Sequence, residues 1–429
     1  MLLSESTPST LNFANSYTAS LLIYTANAMP LIHLFNPGHE TAILLGKSNY
    51  TPPVNVRIMQ EDLACLPLWY ADATDYVFVP EATAITTFLK ENCFTIPMAQ
   101  PIDRIQLRRQ ATQLPELTAS PWGLCLPALC LFRQLEKETH APIRVPEWND
   151  SFVYLTGRKS AADCLDRLHT YLPQYSLPAT PCFCQSLEEV ENYLQRHKAP
   201  FVIKTPFSSS GRGVQWIHSQ NLSPMDTQWI QGALNKQKMV SIEPGLCNQQ
   251  DFAMEFYADG QGHVRYEGLS IFQTEKGSAY SGNRLQRQAD MQQMLTNHVP
   301  QEVLTEIQKA VEQVLTEQYG PLYQGYIGVD MLIYQSADQH YAIHPCVEIN
   351  MRYTMGMVAL QLFRRLLEPT VEGRFHIVYH KQKGDAYEKH LLSQQAHPLQ
   401  LSSSGRLVRG YLSLCPVTPD THYRAYVLV

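Results

Sequence analysis

The chain has 429 residues and a mass of 48.8 kDa, the length of roughly three domains at about 150 residues each. Hydrophobic residues make up 45 % and charged residues 17 %, enough apolar material to offset the entropy of ordering, so wholesale disorder is excluded. A formal charge of −6, from 33 Lys plus Arg against 39 Asp plus Glu, excludes a protein that grips nucleic-acid backbones through its net field.

Residues 1–28 carry one charge, Glu5, and no Lys or Arg, so Leu21 to Ala28 lacks the basic n-region of a secretory signal. They are expected to be a flexible leader outside the fold. The apolar runs Leu21 to Tyr24 and Val329 to Tyr334 fall far short of the 18 or so residues that span a bilayer, so no membrane partner is expected. Ten cysteines are scattered among apolar neighbours with no C-x₂-C pair. Cys182 and Cys184 alone lie close, and two ligands do not complete a metal site. Reduced, small apolar cysteines point to a cytoplasmic protein.

From residue 31 the text alternates between strands and turns. Leu31 to Phe35 is a strand, Asn36-Pro37-Gly38 a turn, and Asp75 to Pro80 a second short strand, which suggests a small α/β layer. The Pro- and Trp-rich stretch from about 100 to 150 reads as a linker. Ser186-Leu187-Glu188-Glu189 is a capping box that opens a helix with Leu187, Val190 and Leu194 at helical spacing. Phe201 to Lys204 is a buried strand, followed by a Ser/Gly loop and a return strand from Gly213 to Ile217. Met239 to Glu243 is another strand, and Asp251 to Ala258 and His263 to Thr274 flank the Asp259-Gly260-Gln261-Gly262 turn. Gln301 to Gln318 is a helix with Val303, Ile307, Val311 and Leu315 four apart, before a strand pair at Gln324 to Tyr334 and Tyr341 to Asn350. Met355 to Leu367 is again helical.

Two constellations carry chemistry. The first is Lys204-Thr205-Pro206-Phe207-Ser208-Ser209-Ser210-Gly211-Arg212-Gly213, a strand-terminal Lys before a small-residue loop whose backbone N–H groups can fold over phosphates. It is no Walker A, because the Lys precedes the glycines and a strand follows. The second is Asp330 on one strand with Glu348 and Asn350 on the next, where positions 348 and 350 share a face. Two carboxylates and an amide oxygen are hard ligands suited to Mg²⁺ (or Mn²⁺) held jointly with phosphate oxygens. Arg352 continues that face.

In this order the motifs resemble the ATP-grasp superfamily: the strand Lys and loop at 204–213, a hinge strand ending in Glu243, Asp251 after it, the G-x-D of Gly328 to Asp330, and the E-x-N-x-R of Glu348 to Arg352. The resemblance spans roughly residues 150–375. It implies an α/β (α+β) ATP-grasp fold in which two α+β subdomains, 146–242 and 243–380, sandwich ATP. A small Rossmann-like N-terminal α/β domain with linker (29–145) would precede them, and a C-terminal extension (381–429) would follow. It implies that Lys204 binds the α- and β-phosphates while Ser208, Ser209, Ser210, Gly211, Arg212 and Gly213 close over the β- and γ-phosphates. Met239 to Leu246 would be the adenine-binding hinge, with Glu243 at its edge and Asp251 placed for the ribose. Asp330, Glu348 and Asn350 would hold Mg²⁺, and Arg352 would meet the γ-phosphate or the reacting carboxylate. Arg158 or Lys159 would supply a further cation. Asn283 and Arg284 face the substrate side or belong to a turn, and His39 and Glu40 sit at a turn near a ligand crevice.

The activity implied is that of an ATP-dependent carboxylate–amine ligase, which activates a carboxylate as an acyl phosphate and joins it to an amine, releasing ADP and Pi. Its partners would be small-molecule carboxylates and amines, with no nucleic acid, and a homo-oligomer is compatible with it. The alternatives are an ATP-grasp kinase acting on a small molecule and a non-catalytic nucleotide-binding regulator.

Overall fold

The fold was analysed in a computed structural model, which describes residues 29–92, 96–208, 213–275, 279–336 and 338–429. The expected leader, residues 1–28, lies outside the described residues, as do Ser209, Ser210, Gly211 and Arg212.

The apolar run Leu31–Leu34 forms β1, the centre of a parallel sheet completed by β2 (Tyr76–Phe78), β3 (Gln100–Ile102), β4 (Leu117–Pro121) and β5 (Ile143–Arg144). The spatial order is β3-β2-β1-β4-β5, so the winding reverses between β1 and β4. The stretch from 100 to 150, expected as a linker, instead supplies three of these strands and the helices Arg104–Gln110 and Leu126–Thr139. Its prolines misled for a physical reason. Pro127 stands in the first turn of a helix, where its missing N–H costs nothing, and Trp122 is a buried core residue.

The second sheet contains β6 (Cys182–Cys184), β7 (Phe201–Lys204), β8 (Val214–Ile217) and β9 (Val240–Pro244), all antiparallel in the order β6-β9-β7-β8. Ser186 caps the adjoining helix Leu187–Arg196 by accepting from the Glu189 amide at 3.2 Å, as the capping box predicts. Helix Pro224–Gln237 closes the apolar face, its Ile230 packing with Ile203 and Ile242.

The chain then crosses into β10 (Cys247–Asp259) and β11 (Val264–Ser270), and begins another sheet with β12 (Phe272–Glu275) and β13 (Ala279–Leu285). After the helices Gln288–Thr296 and Gln301–Gln318 it returns with β14 (Gln324–Gln335) and β15 (Tyr341–Asn350), which complete the order β11-β10-β14-β15. Alternation divides that sheet into two faces. Phe252, Met254, Phe256, Ile327, Val329, Met331 and Ile349 pack with Ile307, Val311 and Leu315 and with helix Arg158–Tyr171 in the largest core. Asp251, Glu255, Asp330, Glu348 and Asn350 occupy the other face.

Helix Met355–Leu366 leads to β16 (Gly373–Tyr379), the short pair β17 (Gln400–Leu401) and β18 (Leu407–Arg409), β19 (Tyr411–Ser413) and β20 (Tyr423–Leu428). Residues 381–429 are therefore part of the body, since β20 lies between β16 and β19 in the order β12-β13-β16-β20-β19. Ala425 and Val427 join Phe375, Leu362 and Leu366 in the core, and Asp62 accepts from the His422 and Tyr423 amides at 2.8 Å each. Among the described residues no helix is long and apolar enough to cross a membrane, and the nine described cysteines are free thiols.

A chain ending at residue 380 loses an inner strand and uncovers Phe375 and Leu366, so it is expected not to accumulate as folded protein. Soluble yield and near-UV circular dichroism check this. A truncated chain with the full-length melting temperature would contradict it.

Candidate functional site

Antiparallel pairing places Lys204, at the end of β7, opposite Ser241 on β9, and Val202 opposite Glu243. The Lys204 ammonium reaches Glu243 Oε1 in a buried ion pair. Burial pushes the Glu243 carboxyl up, but Lys204, His344 and Arg158 outweigh it and hold Glu243 below the usual carboxylate range. The loop after Lys204 closes where the Thr205 amide donates to Gly213 O at 2.9 Å. Only glycine fits at 213, because a Cβ there would stand 2.2 Å from Thr205 Oγ1 and 2.5 Å from Ser208 Cβ.

Arg158, at the start of helix Arg158–Tyr171, joins this loop to the other sheet. Its Nε donates to Thr205 O at 3.0 Å, its Nη2 to Ser208 Oγ at 3.1 Å, and its Nη1 lies 3.3 Å from Glu348 Oε2. Of the two expected cations, Arg158 is thus the one in the site. Lys159 is exposed, paired with Asp163 at 3.8 Å and set over the Phe183 ring. Arg158, Ala161, Phe183, Lys204, Glu243 and Val347 line one cleft between the second and third sheets.

On the polar face of the third sheet, Asp330 stands directly between Ala253 and Glu348, and Gly328 between Glu255 and Asn350. Asn350 Nδ2 donates to Asp330 Oδ2 at 3.1 Å, and its Oδ1 accepts from Arg352 Nη2 at 2.8 Å. Arg352 Nε donates to Glu40 Oε1 at 3.1 Å, which ties this face to the N-terminal sheet. Burial, with Glu348 directly opposite, pushes Asp330 up to about 7, against the pull of Arg352 and Asn350. Two such carboxylates fit a hard divalent cation, which would relieve their repulsion, whereas Asn350 turns its Nδ2 to Asp330 and its Oδ1 to Arg352, so its oxygen would reach that cation only with the amide turned over. Among the described residues no cluster of three His, Cys, Asp or Glu forms a cage, so phosphate and water oxygens would have to complete the shell.

Asp251 shares this face; burial raises its pKa, and Asn248 donates to it at 2.9 Å. Leu246 lies between β9 and β10, half-buried, its carbonyl accepting from the Asn248 amide at 3.0 Å. Asn283 and Arg284 belong to the strand β13 and not to a turn, and Asn283 is buried against Ser270 Oγ at 2.7 Å. His39 and Glu40 are buried and open the helix His39–Leu45, where a simple turn was expected.

Two residues of the site are absent from the sequence reading. Glu255 is buried and accepts from Thr354 Oγ1 at 2.8 Å, and Gly356 must be glycine because a Cβ would fall 2.0 Å from Glu255 Oε1. The signal was its even, four-residue spacing along β10 from Asp251, which puts both on one face. His344 faces Lys204 and Glu243, and burial lowers it to about 4, so it is neutral at pH 7. Its even spacing from Glu348 along β15 was the corresponding clue.

No protein-family model matches the chain, and no curated protein matches it. Among solved structures, the complex of biotin carboxylase from Campylobacter jejuni with β,γ-ATP aligns over 92 % of this chain and 86 % of that one, with a TM-score of 0.51 at 9 % identity. The chain has the ATP-grasp fold. N5-carboxyaminoimidazole synthetase from Staphylococcus aureus with ADP aligns over 94 % and 96 % at a TM-score of 0.47 and 11 % identity. The biotin carboxylase domain of 2-oxoglutarate carboxylase from Hydrogenobacter thermophilus aligns over 94 % and 86 % at 0.48 and 11 %.

Burial raises Glu255 from 4.5 to about 8, with Thr354 and Arg352 opposing and Asp330 adding to the rise. The folded state therefore holds a proton that the unfolded chain releases. The resulting stability is fully present below pH 4.5 and is lost as pH rises through about 8. In metal-free buffer, stability is expected to fall by about 1 kcal/mol between roughly pH 7 and 9, and Glu255→Gln is expected to remove that fall. Urea unfolding of both proteins measures it, and equal pH slopes would count against the assignment.

Proposed function

We propose that the protein is an ATP-dependent ligase that activates a carboxylate as an acyl phosphate and joins it to an amine, releasing ADP and Pi. The observation that carries this reading is the bridge made by Arg158, which binds the loop after Lys204 on one sheet and Glu348 on the other. One guanidinium thereby couples a phosphate-type loop to a metal-type carboxylate pair. The fold shared with biotin carboxylase, whose solved complex contains β,γ-ATP, supports the nucleotide assignment.

In this reading Lys204 meets the α- and β-phosphates, oriented by Glu243, and Arg158 and the 208–213 loop enclose the β- and γ-phosphates. Phe183, Ala161 and Val347 offer an apolar bed for the adenine beside the Leu246 hinge segment, and Asp251 takes the ribose. Asp330, Glu348 and Asn350 would hold Mg²⁺, which when bound neutralises charge between the phosphates. Arg352 orients the reacting carboxylate toward the γ-phosphate. An anion attacking a polyanion meets like-charge repulsion, and Lys204, Arg158 and Arg352 lower that barrier from fixed positions without reorganising. No side-chain nucleophile takes part.

The test is a hydroxylamine trap containing the protein, MgATP and pooled carboxylates, read for ADP and hydroxamate. Both products are expected, and Lys204→Ala or Glu348→Ala should lower turnover about 100-fold or more. Undiminished turnover in either variant would sink the assignment. ADP without hydroxamate would favour phosphoryl transfer to a released product.

A further inference from the structure

Glu255 lies in the site, yet the proposed reaction gives it no task. Two glycines make room for its carboxyl. A Cβ on Gly328, in β14, would fall 3.0 Å from Glu255 Oε2 and 2.7 Å from Thr354 Cγ2, and one on Gly356 would fall 2.0 Å from Glu255 Oε1. Gly356 stands in the first turn of helix Met355–Leu366, although glycine is a poor helix former. An apolar side chain in place of Glu255 would fill the same space without the cost of burying a carboxyl. The chain thus gives up stability at three positions to keep a polar group, 1 % exposed, between β14 and this helix.

The bond gained runs from Thr354 Oγ1 to Glu255 Oε2 at 2.8 Å. The helix does not need it in order to form. Thr354 already caps it by accepting from the Met357 amide at 2.9 Å, but that cap is local and fixes Thr354 only to its own helix. The helix packs across β10, β11 and β13 through apolar contacts, which are non-directional and do not set its position along the sheet. The single proton of the Thr354 hydroxyl, given to β10, supplies the missing fixed point.

That point is one peptide unit from Arg352. The Tyr353 carbonyl, joined to the Thr354 nitrogen, accepts from Arg352 Nη1 at 3.1 Å, while Nε and Nη2 of the same guanidinium go to Glu40 and Asn350. A shift of Thr354 therefore moves the carbonyl that anchors the guanidinium, and a misplacement of about 1 Å suffices to cost roughly 100-fold in rate. Resting on the ligase reading, we infer that Glu255 is a positioning residue, which through Thr354 and the Tyr353 carbonyl aims Arg352 at the reacting carboxylate.

The acid substrate is first found by splitting the carboxylate pool in the hydroxylamine trap, which needs no amine. Glu255→Met fills the space without an acceptor and is expected to lower kcat at least about tenfold, with the KM for MgATP within about twofold of wild type because Lys204 and Arg158 are untouched. Glu255→Gln returns an acceptor oxygen and is expected to bring kcat back to within about threefold. Thr354→Ala should lower kcat as Glu255→Met does, and the double variant should lose little more than either single one, since both break the same connection. A purely structural Glu255 predicts a lower Tm with unchanged kcat per folded molecule, or a KM for MgATP that rises together with that for the acid. Either result overturns the positioning role and leaves the ligase reading intact, as do losses that multiply in the double variant or a Glu255→Gln protein as impaired as Glu255→Met. Where Glu255→Met yields no folded protein, Thr354→Ala decides alone, and wild-type kcat in it overturns the role. Absence of hydroxamate with the wild-type protein and every acid overturns the ligase reading itself, and this role with it.

Discussion

Two acidic side chains placed directly opposite each other on neighbouring strands repel, and the region around the site is arranged to answer that repulsion. Asp330 and Glu348 face one another across β14 and β15 with Glu255 buried close by. The positive charge that balances them arrives from outside the sheet: Arg158 from a helix preceding the second sheet, and Arg352 from just past the end of β15. Burial makes each of these contacts stronger than it would be in water and makes an unmatched charge correspondingly costly. The same demand suits a site for polyphosphate and divalent cation, where excess charge must be met by groups fixed in advance.

The scaffold achieves this through register. In an antiparallel sheet opposed residues share a face, so the pairings of Ala253 with Asp330 and of Asp330 with Glu348 put the acidic groups on one side. The intervening residues, Phe252, Val329 and Ile349, go to the other, where they build the core. One alternation thus makes both the hydrophobic seat and the polar floor of the cleft. A slip of one residue would exchange them, so the stability of that core also guards the geometry of the site.

The N-terminal sheet is bound into the same network and is not an appended module. Arg352 reaches Glu40, the Tyr353 amide donates to Trp122 O at 3.0 Å, and the Tyr70 and Tyr353 rings stack at 4.8 Å. Residues 411–428 close the arrangement from the opposite end of the chain, with Trp69 Nε1 donating to Leu414 O at 2.6 Å. Contacts between residues some 345 apart in sequence thus join early and late parts of the chain in one core.

Local pattern by itself determined the periodic elements: helix Gln301–Gln318 from its apolar spacing, the cap at Ser186, the strand pair ending at Asn350, and the shared face of Glu348 and Asn350. These depend on hydrogen bonds and side-chain directions within a few residues, so they are written in short windows of sequence. What only the tertiary structure decided are the pairings between distant segments. Arg158 and not Lys159 enters the site because the helix presents one to Glu348 and the other to solvent. Glu255 and His344 become part of the site because sheet pairing and burial surround them. The stretch from 100 to 150 becomes strands and helices, and β20 an inner strand, because partners far away in the chain accept their hydrogen bonds and cover their apolar faces. A sequence window holds one partner of each such contact, and the energy resides in the pair.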